Sequence, residues 1–425
     1  MKIKKIELRN FRAFKHLELD FDSQLNVLVG VNGAGKSTIL DSLAIMLSHL
    51  IGKIQSAHGT GRQFSDLDIH LGSPETVNTI ELSYKQHDIS WTATKTRRGR
   101  KKQSTSDRAQ IKEIVELVQT EFAQNENAGF PLAVYYTAHR AVQKVSLRIL
   151  SKHQFNQFEA YDQALTGAGN NFSSFFEWFR NWEDFENERR LYSIKNNPTQ
   201  VDAYEYRDPQ LQAVREAIQT LTGFSELRII RNPLRMEVHK GDQVLDVRHL
   251  SDGEKCLFAL AGDLARRLAI ANPALKKPLT GSGVVIIDEV DLHLHPEWQR
   301  RIIPNLLKTF PNCQFVISTH SPHIITHVKP ENLFLLKQNG EDIEVERPNE
   351  SYGKNVDRIL EDLMGLPTTR PEHISNRLHQ IFLDIQDNRL QDAADNINSL
   401  KQEIGDDPEL VKAEVLIKRM EILGK

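Results

Sequence analysis

The sequence is poor in cysteine: Cys256 and Cys313 are the only two among 425 residues, and they belong to no C-x-x-C pair. This argues against a disulfide framework or a zinc ribbon and fits a reducing compartment. The sequence also lacks any run of about 18 uncharged apolar residues, the length that a membrane helix needs. Its N-terminus has charged residues from Lys2 onward instead of the apolar core of a signal peptide. We therefore expect a cytoplasmic protein that does not enter a membrane.

A strong net charge is missing as well, since 54 basic and 57 acidic side chains nearly balance at −3. No overall field therefore draws the chain to nucleic acid, and any such contact needs a local patch. The one dense basic run lies within residues 95–102, and both a solvated loop and a nucleic-acid contact stay open for it. With 39% hydrophobic and 26% charged residues, the composition is that of a globular protein with two or three domains.

The most informative segment that is present reads GVNGAGKS over residues 30–37 and fits the pattern G-x-x-x-x-G-K-[ST]. A strand is predicted before it and a helix over 38–47 after it, which is the order of a phosphate-binding loop, Walker A. Its glycines let successive N–H groups face phosphate oxygens, and the helix N-terminus adds partial positive charge. Lys36 would reach the β- and γ-phosphates of ATP, and the Ser37 hydroxyl would bind Mg²⁺. The candidate nucleotide-binding residues are Gly30, Asn32, Gly33, Ala34, Gly35, Lys36, Ser37 and Thr38.

Four apolar residues, 284–287, are followed by the acidic pair Asp288 and Glu289. A continuous apolar run indicates a buried parallel strand, and ligands of open α/β sheets lie beyond the carboxyl ends of such strands. After a phosphate-binding loop, this is the pattern of a Walker B motif. Asp288 is then placed to hold Mg²⁺, and Glu289 is placed to polarise an attacking water.

Residues 250–255, LSDGEK, open a helix predicted to end near residue 271. Ser251 followed three residues later by Glu254 is a capping box. The segment also fits the signature of ABC proteins, LSGGQ in its usual form, whose helix tip contacts a second phosphate group. The two interpretations are compatible, so Ser251, Gly253 and Glu254 are candidate nucleotide-binding residues. Asp252 replaces the usual glycine, and its carboxylate is unfavourable beside a γ-phosphate unless it points away.

His320 follows an apolar strand predicted over 315–318. A histidine at a strand end can reach a γ-phosphate or the attacking water, and this one is the fourth nucleotide element in the expected order. Lys36, Glu289 and His320 are therefore the candidate catalytic residues. A zinc site that uses His293 and His295 is disfavoured, because such a site needs convergent ligands in a closed shell.

In this order the motifs resemble those of ABC-type ATPases of the RecF/SMC class. Residues 10–14, NFRAF, are similar to the N-F-R-x-F element of that class, whose arginine lies beside the nucleotide, so Arg12 is a further candidate ligand. Residues 290–296 resemble the D-loop and the L-H-P start of the next helix, and residues 135–140 resemble a Y-Y-x-A-x-R element. A Q-loop glutamine cannot be assigned.

The resemblance implies an α/β fold: a P-loop NTPase head of the ABC type, with a mixed sheet core, antiparallel N-terminal strands, a helical insertion and a helical C-terminal tail. It implies ATP and Mg²⁺ as cofactors, and a homodimer or higher even oligomer with ATP between the Walker A loop of one protomer and the signature of the other. We expect four regions: an ATPase lobe with Walker A over 1–150, the insertion over 151–225, a lobe with signature, Walker B and switch histidine over 226–350, and a partner-docking tail over 351–425.

Aromatic residues crowd into the predicted insertion, and five of them follow helical spacing: Phe175, Trp178, Phe179, Trp182 and Phe185. Such a stripe is typical of hydrophobic core against a neighbouring lobe, which we favour over a platform for base stacking. Three amphipathic helices are predicted within the tail.

The tail resembles the C-terminal region of PtuA-type ATPases, which belong to Septu and related retron-associated anti-phage systems. Those ATPases work with an HNH nuclease, PtuB, so the resemblance implies a regulatory subunit that controls a PtuB-like partner. DNA or a retron RNA–DNA element is a further candidate partner. Nuclease chemistry is not expected in this chain, which has no H-N-H cluster and no convincing Toprim acidic set after residue 340. A RecF-like DNA-repair clamp without a nuclease is the alternative, and a transporter subunit is disfavoured by the N-F-R-x-F and L-H-P elements.

Overall fold

The computed structural model describes residues 1–138, 156–167, 172–196, 206–340 and 342–423. The chain divides into two compact units, Met1–Lys354 and Asn355–Lys425. The first unit contains all the nucleotide motifs named above, and the second is the helical tail.

The strands of the first unit are β1 Lys2–Phe11, β2 Phe14–Asp20, β3 Leu25–Gly30, β4 Glu75–Tyr84, β5 His87–Thr96, β6 Leu132–Tyr136, β7 Ser225–Arg231, β8 Leu234–Lys240, β9 Gln243–Asp246, β10 Gly283–Ile287, β11 Cys313–Thr319, β12 Leu333–Asn339 and β13 Asp342–Glu346. Its helices are α1 Lys36–Gln55, α2 Ile111–Gln124, α3 Phe172–Asn196, α4 Pro209–Thr222, α5 Asp252–Ala271, α6 Pro296–Thr309 and α7 Pro322–Ile325. The second unit has α8 Val356–Arg358, α9 Glu372–Gln386, α10 Leu390–Ile404 and α11 Pro408–Leu423.

Six strands form a mixed sheet in the order β13-β12-β3-β11-β10-β6. β13 runs antiparallel to β12, and the other neighbours pair in parallel. β3, β10 and β11 are buried along their whole length, which explains their continuous apolar sequences. β11 lies between β3 and β10, so the carboxyl ends of the three strands that lead to the phosphate loop, Asp288 and His320 are neighbours.

The N-terminal strands form an antiparallel sheet in the order β2-β1-β4-β5. α1 packs against β4 of this sheet and also against β3, β10 and β11 of the mixed sheet. Because both of its faces are covered, most of its residues are buried, and it extends to Gln55, beyond the predicted span of 38–47. By length and composition alone α1 could cross a membrane, but 67% of the apolar window is buried inside the folded unit, as in a core helix.

The first half of the aromatic stripe on α3 is hydrophobic core. Phe175, Trp178 and Phe179 are at most 1% exposed, and Phe175 meets Phe258 of α5 edge-on with ring centroids 5.8 Å apart. Phe185, at the other end of the stripe, is 57% exposed. The stripe therefore anchors α3 on α5, and its buried half has no free ring face for a nucleic-acid base.

The second unit contains the three amphipathic helices that the tail sequence predicts. The apolar faces of α9, α10 and α11 meet in one cluster, in which Ile381, Ala393, Leu400 and Ala413 have no exposed surface. The unit therefore has a hydrophobic core of its own.

Candidate functional site

The site lies where β3, β11 and β10 end side by side. Thr319 pairs with Val29 of β3, and Ile317 pairs with Ile287 of β10. The segments that follow these strands are the phosphate loop, His320 and the Asp288–Glu289 pair. This is the edge at which open α/β sheets bind ligands.

The phosphate loop passes into α1 at Gly35, whose φ of 88° is in the left-handed region. A Cβ at Gly35 would lie 2.6 Å from Cζ of Phe14, so glycine is required both by conformation and by space. This contact gives a role to the second phenylalanine of the NFRAF element, which packs against the loop. The N-terminus of α1 has no side-chain cap and no acidic residue in its first turn, so its N–H groups and partial charge suit an anion.

Lys36 is only 5% exposed and folds back over the loop. Its Nζ donates to the carbonyl oxygens of Gly30 at 2.9 Å and Val31 at 3.0 Å. Burial lowers the pKa of Lys36, and the carboxylates of Asp288, Glu289 and Asp291 act in the opposite direction. The lysine therefore faces the Walker B acids.

Ser318, at the end of β11, organises the acidic pair. Its Oγ donates to Oδ1 of Asp288 at 2.5 Å and accepts the backbone N–H of Glu289 at 2.8 Å. The backbone N–H of Asp288 donates to the carbonyl of Tyr136 on β6, at 2.8 Å. Asp288 is 5% exposed, and Glu289 has a left-handed φ of 47°, so its direction is set by these neighbours. The carboxylate of Asp288 and the hydroxyl of Ser37 are the oxygen donors that suit Mg²⁺.

His320 belongs to the same electrostatic cluster. Burial lowers its pKa, the charge of Lys36 acts in the same direction, and Asp291, Glu289 and Asp288 oppose them. The imidazole is therefore neutral at pH 7, with one nitrogen to donate and one to accept. Thr319, the residue before it, donates its Oγ1 to Oδ1 of Asp291 at 2.5 Å, which ties the D-loop to the end of β11.

Sequence reasoning missed Ser318, Thr319 and Asp291. The hydroxyls lie at the end of an apolar strand with no spacing pattern of their own, and Asp291 is one of several acids after the Walker B strand. Their partners follow from the neighbouring positions of β10 and β11, which no local motif specifies.

Arg12 is held beside the phosphate-loop helix by two carboxylates. Its Nη1 donates to Asp41 on α1 at 2.7 Å, and its Nε donates to Asp68 at 2.9 Å. Burial raises the pKa of Tyr135, and the carboxylate of Asp41 acts in the same direction. The hydrogen bond of Arg12 thus ties the NFRAF element to α1, and Tyr135 of the tyrosine pair lies near the same carboxylate. His139 and Arg140 of the Y-Y-x-A-x-R element lie outside the described residues.

The signature segment forms the capping box predicted from its sequence. The Ser251 hydroxyl accepts the N–H of Glu254 at 3.3 Å, and the Glu254 carboxylate accepts the N–H of Ser251 at 2.8 Å. Lys240 on β8 donates to the same carboxylate at 2.7 Å. Although burial acts in the other direction, these partners hold the pKa of Glu254 below its usual value. Glu254 is thus engaged within the protein.

The tip of α5 faces outward. Ser251 is exposed, and the side chain of Asp252 is 82% exposed. Gly253 lies against the D-loop, where an added Cβ would be 2.2 Å from the carbonyl oxygen of His293. In the described part of the chain, the side-chain hydrogen bonds of Ser251 and Glu254 end at the tip itself and at Lys240, and none reaches the phosphate loop.

The basic run is partly structural. The Arg97 guanidinium donates to the carbonyl oxygens of Ser73, Ile69 and His70, and Lys95 lies 3.3 Å from Asp66. The remaining cations of the run are exposed: Arg98, Arg100, Lys101 and Lys102.

The mixed sheet and the antiparallel N-terminal sheet carry a phosphate loop, an Asp–Glu pair, a histidine at a strand end and a capped signature helix. These features together define an ABC-type ATPase head. Residues 25–326 match the family described as "AAA domain, putative AbiEii toxin, Type IV TA system". Because this match covers more than half of the chain, the protein belongs to that family.

Similarity to individual proteins narrows the class of ATPase to which the chain is related. The chain is 31% identical to the retron Ec83 probable ATPase of Escherichia coli, over 99% of this chain and 87% of that protein. It is 25% identical to Septu protein PtuA of Bacillus thuringiensis, over 87% of this chain and 85% of that one. Among solved structures, it is similar to an SMC head bound to the C-winged helix domain of ScpA, with a TM-score of 0.47 and 19% identity over 81% of this chain and 98% of that chain.

The retron and Septu relatives confirm the resemblance drawn from the motifs. The protein is an ATPase of the RecF/SMC-like ABC type, related to the retron ATPases and to PtuA, and its α/β fold class is as predicted.

Proposed function

We propose that this chain is the regulatory ATPase of an anti-phage defence complex, in which ATP joins two protomers and the nucleotide state controls an HNH nuclease subunit. The observation that carries the proposal is the outward-facing tip of α5. Ser251 is exposed there at the N-terminus of α5, while the described side-chain hydrogen bonds of the tip stay away from the phosphate loop of its own chain. A triphosphate presented by a second protomer is a ligand of the right charge for such a tip.

In each protomer, the N-terminus of α1 and Lys36 would hold the triphosphate, and Ser37 and Asp288 would hold Mg²⁺. The ion neutralises charge on the phosphate oxygens when it is bound. Lys36 would exchange its hydrogen bonds to Gly30 and Val31 for phosphate contacts. The cost of burying its charge is then offset by a partner of opposite sign.

Glu289 would orient a water molecule for attack and accept its proton. The carboxylate is aimed by the bond between its backbone and Ser318, and a neutral His320 can hydrogen-bond the γ-phosphate or the same water. Since ATP binds the dimer better than the monomer, ATP favours pairing by mass action. Loss of the γ-phosphate would remove the ligand of the opposite signature tip and loosen the pair.

Mixing two inactive variants tests whether the site is shared. Lys36→Ala disables the phosphate loop, and Ser251→Arg disables the signature tip. In a mixed dimer one site carries both changes and the other carries neither. We expect mixing to restore about a quarter of the wild-type ATPase rate, since half of the dimers are mixed and each has one intact site.

The control for this experiment is each variant alone at the same total concentration, with its folding checked by circular dichroism. Failure of well-folded variants to complement each other would contradict a site shared between protomers. It would leave the ATPase class of the chain untouched.

Control of a nuclease is tested with the HNH protein encoded beside this gene, where such a neighbour exists. The relation to retron and Septu proteins supports this partner class. We expect the full chain, but not residues 1–354, to co-purify with the nuclease, and ATP to change its cleavage of plasmid DNA. Retained binding by residues 1–354 would rule out docking on the second unit.

A DNA clamp that acts without a nuclease is the second candidate, and the exposed cations of the basic run favour it. Each phosphate contact adds to the salt dependence of DNA binding. Replacing Arg98, Arg100, Lys101 and Lys102 by glutamine should therefore flatten the dependence of affinity on salt. An unchanged slope would remove these four residues from the DNA contact.

A further inference from the structure

A cavity of about 590 Å³ lies at the end of α1 opposite the phosphate loop. Its walls come from the last turns of α1, the connection 57–61 and the start of α2. Apolar wall residues include Ala57, Ala109, Ile111 and Val115. The volume is in the range of pockets that bind small molecules.

Two polar groups at this cavity lack partners. His49 of α1 is 3% exposed, and its Nδ1 is buried with no hydrogen bond in the described part of the chain. The Nε of Arg108 is also buried and has no hydrogen bond to any described residue. Buried polar groups in proteins are nearly always hydrogen-bonded, so two unpaired nitrogens on residues that line one cavity mark a polar region without its full set of partners, water or ligand.

The charges at the cavity define the ligand. Lys112 pairs with Glu116 at 3.3 Å, and Lys53 donates to the carbonyl of Ala57 at 2.9 Å. Among the described residues Arg108 has no carboxylate partner, although it is partly buried. A half-buried guanidinium without a counter-ion favours an anion, which it can bind through two parallel N–H groups.

His49 is neutral at pH 7, because burial, together with the charge of Arg108, lowers its pKa to about 4. A neutral imidazole offers one donor and one acceptor and does not repel the neighbouring cation. From Lys36 to His49 is 13 residues along α1, or about 20 Å at 1.5 Å per residue, so the cavity is separate from the nucleotide site.

We propose that this cavity binds a small organic anion, a carboxylate or phosphate with an apolar body, whose charge pairs with Arg108 and whose body lies against α1 and α2. The apolar walls exclude water from the body of the ligand, and the guanidinium and His49 fix its head group. Nothing in the ATPase cycle requires this pocket, so it is an additional binding site.

The test is displacement of the fluorescent sulfonate 1-anilinonaphthalene-8-sulfonate from the full-length protein. Three competitors share one carbon chain: octanoate, octyl phosphate and octanol. We expect at least one of the two anions to displace the probe at a concentration about tenfold or more below that of octanol, since a hydrogen bond to a charged group is worth that factor. The better anion identifies the head group. Equal displacement by octanol and both anions would overturn the proposal.

Two variants locate the site. Arg108→Gln should lower the affinity for the better anion about tenfold or more, whereas Arg100→Gln, an exposed arginine in the same connection between β5 and α2, should not change it. Ala109→Trp fills the cavity from its exposed rim and should abolish displaceable probe binding while the ATPase rate stays normal. Unchanged anion affinity in both Arg108→Gln and Ala109→Trp would place the binding elsewhere and refute the assignment.

Discussion

At the scale of single residues, the nucleotide site depends on polar groups that hold one another in position. Ser318 ties Asp288 to the backbone of Glu289, and Thr319 ties Asp291 to the end of β11. A buried carboxylate without such partners would be costly to desolvate. The acidic pair Asp288–Glu289 is therefore aimed by the neighbouring strand as well as by its own.

Glu289→Gln should lower kcat for ATP hydrolysis by about 10²–10⁴-fold, the range for loss of a general base. ATP binding should persist, because the amide has the same size and the phosphate loop is unchanged. Phosphate release and titration with a fluorescent ATP analogue measure the two effects. Glu297→Gln, on the exposed start of α6, is the matched control. A variant that turns over ATP at the normal rate would refute the role of Glu289.

Ser318→Ala should reduce kcat while changing KM for ATP little, since the residue positions the acids without touching the phosphate loop. The lost hydrogen bond also destabilises the protein by about 1–3 kcal/mol. Ser42→Ala is the matched control: this hydroxyl is equally buried on α1 but accepts from Asn78, outside the acidic cluster. Equal losses of kcat in the two variants would mean that Ser318 is only structural.

At the scale of elements, α5 combines a structural cap with an exposed tip. Its first residues are fixed by the reciprocal bonds of Ser251 and Glu254, by Lys240 of β8 and by the D-loop behind Gly253. A helix N-terminus held this firmly can meet a ligand without rearrangement. The same serine therefore has two roles that substitution can separate.

Ser251→Asp and Ser251→Ala should give opposite results. Aspartate is also a strong N-cap and should keep the unfolding temperature, but its charge should suppress ATP-dependent pairing by repelling a γ-phosphate. Alanine should cost about 1 kcal/mol of stability through loss of the cap and disturb pairing less. Thermal unfolding and sedimentation velocity with ATP distinguish the variants. Normal pairing of the aspartate variant would argue against a phosphate contact.

At the scale of the whole molecule, the chain separates nucleotide chemistry from a helical unit with its own core. Residues Met1–Lys354 contain the site, and Asn355–Lys425 contain the apolar cluster of α9, α10 and α11. A unit with its own core can unfold without taking the rest of the chain with it.

Ile381→Ala should destabilise the second unit by about 2–5 kcal/mol, the cost of removing a buried isoleucine side chain. The ATPase rate should stay near that of the wild type, because Ile381 belongs to the cluster of the second unit. Differential scanning calorimetry should show one transition shifted and the other unchanged. Ile422→Ala, at an 84% exposed position, is the control. A parallel loss of ATPase activity would show that the two units are coupled.

Motifs with local causes were predictable. The GVNGAGKS loop, the acids after β10 and the Ser251–Glu254 cap each depend on a few consecutive residues, so their sequences specify their conformations. The full length of α1 was not predictable from its first apolar residues, because the helix continues to Gln55 by packing against strands of both sheets.

The amino-acid sequence by itself determined the order of the nucleotide motifs, the ATPase class and the three helices of the tail, because each of these is encoded by spacing along the chain. Only the tertiary structure decided which groups meet: Ser318 with Asp288, Arg12 with Asp41, and Phe14 with Gly35. These partners lie on different elements, and their contacts depend on how strands and helices pack. The physical reason is that a hydrogen bond or a packing contact requires two groups within a few ångströms of each other in space. A sequence motif specifies only residues that are a few positions apart along the chain, so it does not show which distant residues come together.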